Sequence, residues 1–338
     1  MRRTHIDRLK YNLRSEKPML CNPFSERRVL VTGGAGFIGS HIVDMLVKKG
    51  NEVTIFDNMT SGSLGFIDDH LGNEGVYFIE GDLLDTSELS RACENVDFVF
   101  HVAANPDVRL GATDTYVHFE QNITATYNLL EAMRLKGIKD IAFTSTSTVY
   151  GEATLIPTPE SYGPLVPISL YGASKLACEA LITSYSHTFD MRSWIFRFAN
   201  IIGSRSTHGI IVDFIEKLEK DPKLLEILGD GMQSKSYLHV KQCVEAMAFA
   251  IENNTDDVNI FNIGSEDTIT PTRIGEIIVK EMGLDNVEFS YTGGKRGWKG
   301  DVPKMMLAVD KLKNLGWKPK WGSERCVRET VRSLLKGE

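Results

Sequence analysis

Tyr171 and Lys175 stand four residues apart in the run Tyr-Gly-Ala-Ser-Lys, a spacing that suits proton chemistry. On a helix, side chains at positions i and i+4 project from the same face, so we expect the ammonium of Lys175 near the phenol of Tyr171, where it favours the ionised form. A phenol with a pKa of about 10 in water then becomes a usable base. A hydroxyl cluster at residues 144–148 and a glycine-rich turn at residues 33–39 lie upstream. Together these residues predict one redox active site.

The glycine-rich turn predicts a dinucleotide site. Gly33, Gly36 and Gly39 directly follow an apolar run and open a predicted helix, where glycine lets a pyrophosphate approach the positive helix N-terminus. Asp57 ends the next predicted strand, eighteen residues after Gly39, where its carboxylate can accept hydrogen bonds from an adenosine ribose. It would repel a 2′-phosphate, so NAD is favoured over NADP. Asp82 is a candidate for the adenine amino group or, equally, for a helix or loop cap.

Composition narrows the class of protein. The chain has 338 residues, of which 42% are apolar and 25% charged, as in ordinary globular proteins with a sizeable core. Its net charge of −7 argues against nucleic acid or an anionic membrane as the main partner. Five scattered cysteines without a Cys-x-x-Cys pair predict neither a metal site nor a disulfide framework. No apolar run approaches the roughly 20 residues that span a bilayer, so we expect a soluble protein of a reducing cytoplasm.

The order of predicted elements indicates an α/β fold. From residue 28 to about residue 200, β-branched and aromatic runs alternate with helix-length segments, which predicts a Rossmann-type doubly wound parallel sheet with helices on both faces. The predicted strands are 28–32, 52–56, 76–80, 98–102, 141–144 and 194–198, and the predicted helices are 40–49, 116–136 and 171–189.

The chain is predicted to have three parts. Residues 28–200 form an NAD-binding domain, and residues 201–338 form a smaller α+β lobe that binds substrate. The lobe has predicted helices near 212–220, 240–251, 271–282 and 323–335, and the short apolar run 259–264 is expected to return to the main sheet. The basic extension at residues 1–27 is either an arm that contacts a partner or a poorly ordered tail, and translation could also start at Met19.

Several motifs are similar to those of one enzyme family. They are Gly33-x-x-Gly36-x-x-Gly39, Gly81-Asp82-Leu83, His101-Val102-Ala103-Ala104, Thr146 and Tyr171-x-x-x-Lys175. Together they resemble the extended short-chain dehydrogenases/reductases of the NAD-dependent epimerase/dehydratase family. Within that family, the runs at 146–151, 197–200 and 296–301 most resemble UDP-glucose 4-epimerases of archaeal and bacterial type.

The resemblance implies a reaction and a role for each residue. A UDP-hexose is oxidised at C4 by NAD to a 4-ketose, which rotates in the pocket and is reduced from its other face. Tyr171 would remove the C4 hydroxyl proton, Thr146 would bind the same oxygen, and Lys175 would bind the nicotinamide ribose and lower the pKa of Tyr171. The implied NAD contacts are Gly33, Gly36, Phe37, Ile38, Gly39, Asp57, Asn58, Asp82, Leu83, Ala103, Ala104, Asn122, Lys175 and Phe198. Asn122 could instead cap the helix that it begins.

The resemblance also implies a nucleotide-sugar site. Asn200 matches the family's asparagine that binds the substrate diphosphate, and Arg296 lies in the segment that supplies an arginine fork to phosphate oxygens. Arg296 is shifted relative to Asp301, so a surface role stays open. Lys235 stands where many relatives have arginine and would make a point contact instead. Met305 lies where relatives set the room for a 2-acetamido group, so plain and N-acetylated hexoses stay open, as does a core role for Met305.

Thr148 distinguishes between related reactions. Relatives that dehydrate or decarboxylate the 4-keto intermediate have an acid two residues after the hydroxyl residue, the position that Thr148 occupies here. The sequence therefore favours 4-epimerisation. An epimerase of N-acetylhexosamines or uronic acids, a dehydratase, a decarboxylase and a non-catalytic NAD-binding sensor stay open, although a sensor has no need of the intact catalytic residues. The resemblance further implies a homodimer that pairs helices 116–136 and 171–189 into a four-helix bundle.

Overall fold

A seven-stranded parallel sheet is the framework of the chain in the computed structural model, which describes residues 25–337. Further strands form two-stranded sheets outside this framework. In chain order, the strands of the described residues are β1 (Arg28–Thr32), β2 (Glu52–Asp57), β3 (Val76–Glu80), β4 (Phe98–His101), β5 (Asp140–Thr146), β6 (Arg192–Phe198), β7 (Asn200–Ile202), β8 (Leu224–Ile227), β9 (Ser234–Lys235), β10 (Tyr237–His239), β11 (Val258–Ile263), β12 (Glu288–Tyr291) and β13 (Lys304–Met305). The seven-stranded sheet has the order β11-β6-β5-β4-β1-β2-β3. Its winding reverses between β1 and β4, which is where doubly wound sheets bind ligands. The predicted Rossmann-type α/β class is confirmed.

Helices cover the sheet and complete the second lobe. They are α1 (Phe37–Lys48), α2 (Thr86–Ala92), α3 (Ala125–Lys136), α4 (Leu170–Phe189), α5 (Ile210–Lys220), α6 (Val240–Asn253), α7 (Pro271–Glu281), α8 (Asp310–Leu315) and α9 (Ser323–Leu335). A π-helical segment, Phe119–Thr124, leads directly into α3. Within residues 25–337, no helix combines the length and the apolar character needed to cross a membrane.

The sheet buries side chains on both faces, as parallel sheets between helical layers do. Along β1, Val29 and Val31 pack on the side of α1 and α6, whereas Leu30 packs on the side of α2, α3 and α4. On β4, Phe100 and Val99 alternate in the same way. All five side chains are almost fully buried. Because every central strand must be apolar on both faces, polar groups are concentrated at the strand ends.

The chain returns to the main sheet after residue 200. β11 pairs with β6 from Val258 opposite Ser193 to Ile263 opposite Phe198, so the predicted returning strand at 259–264 is confirmed. Apolar residues of α5, α7, α9 and β8 form a separate cluster, whereas α6 packs against the main sheet. The division of the chain at residues 27 and 200 stays a prediction, and residues 1–24 of the predicted extension lie outside the described residues.

Some predicted boundaries differ from those observed. α1 begins at Phe37 instead of residue 40, and β5 extends to Thr146 with every residue buried. The predicted helix 116–136 consists of the π-helical segment followed by α3. α2 was not predicted, although Asp85 and Glu88 have the spacing of a capping box. The Asp85 carboxylate accepts the Glu88 backbone N–H at the start of this helix.

The buried aromatic residues of the sheet generate a stability prediction. Phe100 is fully buried, so Phe100→Ala should lower the free energy of unfolding by about 3–5 kcal/mol through lost burial and an unfilled cavity. Leu64→Ala, at a half-exposed side chain, should change it by less than about 1 kcal/mol. Urea denaturation of both variants measures the difference, and equal midpoints would contradict this account of the core.

Candidate active site

The glycine-rich turn lies at the carboxyl end of β1 and has no room for side chains. Gly33 has φ +69°, and a Cβ atom there would lie 2.6 Å from the backbone nitrogen of Ala103. A Cβ atom at Gly39 would lie 2.0 Å from the carbonyl oxygen of Gly33. Gly36 caps α1, whose first turn contains Phe37 and no acidic residue. The positive end of α1 is therefore available to an anion such as a pyrophosphate.

Asp57 ends β2 beside this turn. Its Oδ2 accepts the Ala35 N–H at 3.0 Å, and its Oδ1 accepts the Met59 N–H at 2.9 Å. Burial raises the pKa of the Asp57 carboxyl, and the two backbone donors oppose that rise. The carboxylate thus links the glycine turn to the end of β2, where it can accept hydrogen bonds from a ribose hydroxyl.

The end of β3 is tied to the end of β2 by side chains. Asn58 Nδ2 donates to Asp82 Oδ2 at 3.0 Å, and Asp82 Oδ1 accepts the Leu84 N–H at 2.9 Å. Asp82 therefore caps its own loop, one of the two roles predicted for it. Leu83 is buried in the apolar cluster beside α2, so its side chain belongs to the core.

Ala103 and Ala104 follow β4 on the other side of the glycine turn. The Ala103 N–H donates to the Thr32 carbonyl at 3.0 Å, which holds this loop against Gly33. Phe198 ends β6, and its side chain is almost fully buried in the core on the side of α6. All three residues thus lie at the carboxyl edge of the sheet, as the predicted cofactor site requires.

Thr146, Tyr171 and Lys175 are brought together where β5 meets α4. The Thr146 hydroxyl lies near enough to the phenol of Tyr171 to act on its pKa, which it lowers. Thr146 Oγ1 also lies 3.1 Å from Thr148 Oγ1 and accepts the Thr148 N–H at 3.1 Å. Lys175 Nζ donates to the Thr144 carbonyl at 3.0 Å. A phenol, two hydroxyls and a buried ammonium therefore form a single group that can hold and move a proton at a substrate oxygen.

Desolvation controls the proton affinities in this group. It raises the pKa of Tyr171 to about 12, against the lowering by Thr146, and it lowers the pKa of Lys175 to about 8. The prediction that Lys175 lowers the pKa of Tyr171 stays a prediction, and any such effect would have to oppose the rise that burial causes. The ammonium is engaged by the Thr144 carbonyl and lies 4.7 Å from the centroid of the Phe143 ring.

Asn122 lies within the π-helical segment and does not cap a helix. Its Oδ1 accepts the Asn105 N–H at 2.8 Å, and its Nδ2 donates to Ser174 Oγ at 2.9 Å. Ser174 in turn donates to the Tyr171 carbonyl at 2.8 Å. One turn before Asn122, the His118 ring meets the Tyr171 ring edge to face, with centroids 5.7 Å apart. Sequence reasoning missed His118, for which its i, i+4 spacing to Asn122 was the available signal.

The predicted nucleotide-sugar residues form a second group. Lys235 Nζ donates to Asp301 Oδ1 at 2.5 Å. Arg296 Nη1 donates to the backbone carbonyl of the same residue, also at 2.5 Å. Arg296 Nη2 also pairs with Glu152 Oε1 at 2.7 Å. A cleft of about 460 Å³ lies beside this group and is lined in part by Glu152. Asn200 Nδ2 donates to the Ser236 carbonyl at 3.1 Å, next to Lys235 in the chain.

Met305 lies behind the hydroxyl-bearing turn. It is partly buried and packs against an apolar cluster that includes Val149, Tyr150 and Leu307. This packing matches the core role that the sequence left open for Met305. In the part of the chain that the structure covers, no group of three or more His, Cys, Asp or Glu side chains could hold a metal ion.

The geometry of the sheet edge defines a Rossmann-type dinucleotide-binding protein. Gly33 and Gly39 let the turn pack tightly against the backbone of Ala103 and the start of α1, and Asp57 stands where an NAD ribose would need an acceptor. The model of the NAD dependent epimerase/dehydratase family matches residues 29–264. The chain belongs to that family of enzymes, of the extended short-chain dehydrogenase/reductase type, and NAD is its cofactor.

Similar proteins of known structure and curated relatives cover almost the whole chain. A crystal structure of a UDP-galactose 4-epimerase is 42% identical, with a TM-score of 0.82 over 92% of this chain and 99% of that one. A UDP-N-acetylglucosamine 4-epimerase from Methanobrevibacter ruminantium M1 is 31% identical, with a TM-score of 0.82 over 93% and 100%. A UDP-N-acetyl-alpha-D-glucosaminuronate decarboxylase from Bacillus cytotoxicus is 32% identical over 91% of this chain and 97% of its own length.

The tight contact at Gly39 generates a prediction about NAD. Gly39→Ala should weaken NAD binding by more than about 100-fold, or ~3 kcal/mol, because the added methyl group forces the Gly33 carbonyl out of the turn. Gly65→Ala, where the nearest atom is a side-chain oxygen 3.5 Å from the added carbon, should leave it unchanged. Isothermal titration with NAD, with circular dichroism as a folding check, measures both. Equal affinities for NAD in the two variants would contradict the prediction that the glycine-rich turn binds NAD.

Proposed function

We propose that this enzyme catalyses the NAD-dependent 4-epimerisation of a UDP-hexose and interconverts UDP-glucose and UDP-galactose. The observation that carries the proposal is that Thr146, at the end of β5, lies close enough to Tyr171 to act on the pKa of its phenol, with Lys175 one helical turn further along α4. Such a group can take a proton from a sugar hydroxyl and return it.

In the proposed reaction, Thr146 holds the C4 oxygen of the sugar, and Tyr171 accepts the proton of that oxygen in its ionised, phenolate form. When bound, NAD supplies the acceptor for the C4 hydride and later its donor. After the 4-ketose turns over in the pocket, Tyr171 returns the proton to the same oxygen as the hydride reaches the opposite face. Lys175 holds its positive charge beside the strand end and, in this proposal, also binds the nicotinamide ribose.

Thr148 supports epimerisation over the related reactions. Its hydroxyl lies 3.1 Å from that of Thr146. A threonine hydroxyl is neither a base for the proton at C5 nor a charge that could orient a departing carboxylate. The 4-ketose would therefore have no agent for dehydration or decarboxylation at this position, and return of the hydride is the remaining outcome.

The proposed diphosphate site uses Asn200, Lys235 and Arg296. The Lys235–Asp301 pair is mostly buried, so it holds its loop in place. Glu152, the partner of Arg296, is half exposed, and water screens such a pair strongly. We therefore propose that Arg296 exchanges Glu152 for phosphate oxygens, which its guanidinium can bind bidentately.

Proton NMR of the purified protein with NAD tests the substrate. UDP-galactose, UDP-N-acetylgalactosamine and UDP-glucuronate are supplied in parallel tubes. Appearance of UDP-glucose supports the proposal. Conversion of the N-acetylated sugar alone would assign a 2-acetamido substrate instead, and a new C4 epimer or a decarboxylated product from UDP-glucuronate would assign a uronic-acid enzyme. No change in any tube, with NAD bound, would favour the non-catalytic sensor.

The role of Tyr171 generates a second test. Tyr171→Phe should lower kcat by about 10²–10⁴-fold, because it removes the base, while NAD binding stays unchanged. Tyr77→Phe, at an exposed tyrosine of β3, should leave both unchanged. Near-normal turnover of Tyr171→Phe in the NMR assay would overturn the mechanism.

We also propose that the protein is a homodimer in the cytoplasm. Large aromatic side chains are exposed just before the π-helical segment, at Tyr116, and along the stretch from that segment to α3, at Phe119 and Tyr127. α4 packs beside α3 and exposes small residues such as Ala180. Such a surface suits helix pairing with a second copy. Cys93, Cys178, Cys243 and Cys326 are free thiols, which suits a reducing compartment.

The helix pairing generates a prediction about size. Tyr127→Glu should convert the dimer to a monomer of 37.8 kDa, because it places a charge within the paired helices. Tyr77→Glu, on the edge strand β3, should stay dimeric. Light scattering after gel filtration measures the mass, and a monomeric wild-type protein would exclude the proposed interface.

A further inference from the structure

A buried ion pair links α4 to β6 directly behind the proposed catalytic group. Arg197 Nη2 donates to Glu179 Oε2 at 2.6 Å, and Arg197 Nε donates to Glu179 Oε1 at 3.0 Å. The two side chains are 4% and 5% exposed. Burying two charges is costly, and such a pair is weak evidence of a gain in stability. None of the proposed chemical steps uses either residue, so the pair needs another explanation.

Glu179 also holds the strand end that carries Thr146. Ser145 Oγ donates to Glu179 Oε1 at 2.5 Å. Ser145 precedes Thr146 on β5 and lies opposite Arg197 in the register of β5 with β6. The Glu179 carboxylate therefore binds both Ser145 and Arg197, which are paired across the two strands, immediately before Thr146.

Arg197 holds the chain a few residues after Thr146. A 3-10 turn, Ser147–Tyr150, follows Thr146. Arg197 Nη1 donates to the Tyr150 hydroxyl at 3.0 Å, and its guanidinium carbon lies 4.8 Å from the centroid of the Tyr150 ring. The Tyr150 hydroxyl then donates to Asn262 Oδ1 at 2.8 Å. The segment 145–150, which carries the Thr146 and Thr148 hydroxyls, is thus held at both of its ends by one ion pair.

Glu179 shares its helix with the proposed base. Tyr171, Lys175 and Glu179 follow one another at intervals of four residues on α4, so they lie along one face of the helix. The ion pair consequently connects the helix that carries Tyr171 to the strand end that carries Thr146. Movement of either element relative to the other would have to break buried, charge-assisted hydrogen bonds.

We propose that Glu179 and Arg197 are positioning residues that set the Thr146 hydroxyl against the phenol of Tyr171, with Ser145 and Tyr150 as their contacts to the turn. The expected loss of kcat rests on the proposed function, whereas the expected change in hydrogen bonding at the Tyr171 phenol does not. Neither residue of the pair touches substrate in this account.

Ser145→Ala tests the proposal with the ion pair intact. It removes one contact to the turn without leaving a charge unpaired, so the protein should fold where Glu179→Gln could fail to do so. We expect kcat to fall by about tenfold with little change in KM, since a small displacement of a reacting group is costly to the chemical step. In a Thr146→Ala background, Ser145→Ala should have no further effect, because its action passes through Thr146. Additive losses would overturn the proposal.

A matched control breaks a different ion pair between the same two strands. Asp140 and Arg192 are the first residues of β5 and β6, at the end of these strands away from the site. Arg192 Nε donates to Asp140 Oδ1 at 2.8 Å, and Arg192 Nη2 donates to Asp140 Oδ2 at 2.7 Å. Asp140→Asn should lower thermal stability but leave kcat within about twofold of wild type, because the pair lies far from the strand ends that form the site. A loss of kcat equal to that of Ser145→Ala would show a general packing effect and would also overturn the proposal.

A second readout needs no turnover. In protein with ¹³Cζ-labelled tyrosine and bound NAD, the Tyr171 signal is assigned by its loss in Tyr171→Phe, and its chemical shift reports hydrogen bonding at the phenol oxygen. Ser145→Ala should shift this signal in the direction that Thr146→Ala does, and Asp140→Asn should not shift it. An unmoved signal in Ser145→Ala overturns the positioning proposal, whether or not the wild-type protein is active. Inactivity of the wild-type protein on every UDP-hexose would overturn the proposed function alone.

Discussion

Parallel pairing of the seven strands is the constraint on which the rest of the structure depends. Because every strand runs the same way, all the carboxyl ends meet at one edge of the sheet. Asp57, Thr146 and Phe198 each end a strand there, although they are distant in sequence. The reversal of winding between β1 and β4 opens that edge beside the glycine turn. The predicted cofactor site and the proposed proton-transferring group are therefore two parts of one edge.

Burial at this edge both positions the polar groups and changes their proton affinities. Removal from water favours the neutral form of each, which raises the pKa of Tyr171 to about 12 and lowers that of Lys175 to about 8. Burial thus opposes the charged form of both the phenol and the ammonium. Thr146 lowers the pKa of Tyr171 against this effect of burial, which gives the placement of Thr146 a direct effect on the proposed base. The Glu179–Arg197 pair occupies the position from which that placement is controlled.

Much of the fold could be predicted because its signals are local. The glycine spacing before α1, the acid at the end of β2 and the apolar run of β11 depend on neighbouring residues, and each lies where the sequence predicts it. The helix before α3 was harder, because a π-helical segment differs from an α-helix by packing and not by periodicity. α2 is short and depends on its cap at Asp85 more than on an apolar stripe.

The sequence by itself determined the doubly wound sheet, the NAD site and the residue types of the proposed catalytic group, since these follow from periodicity, glycine spacing and a four-residue helical repeat. Only the tertiary structure decided which polar groups are buried together. It pairs Glu179 with Arg197 and Lys235 with Asp301, joins Asn122 to Ser174, and places Met305 in a core cluster. The physical reason is that charge pairing and desolvation depend on distances between residues remote in the chain, and no local pattern encodes those distances.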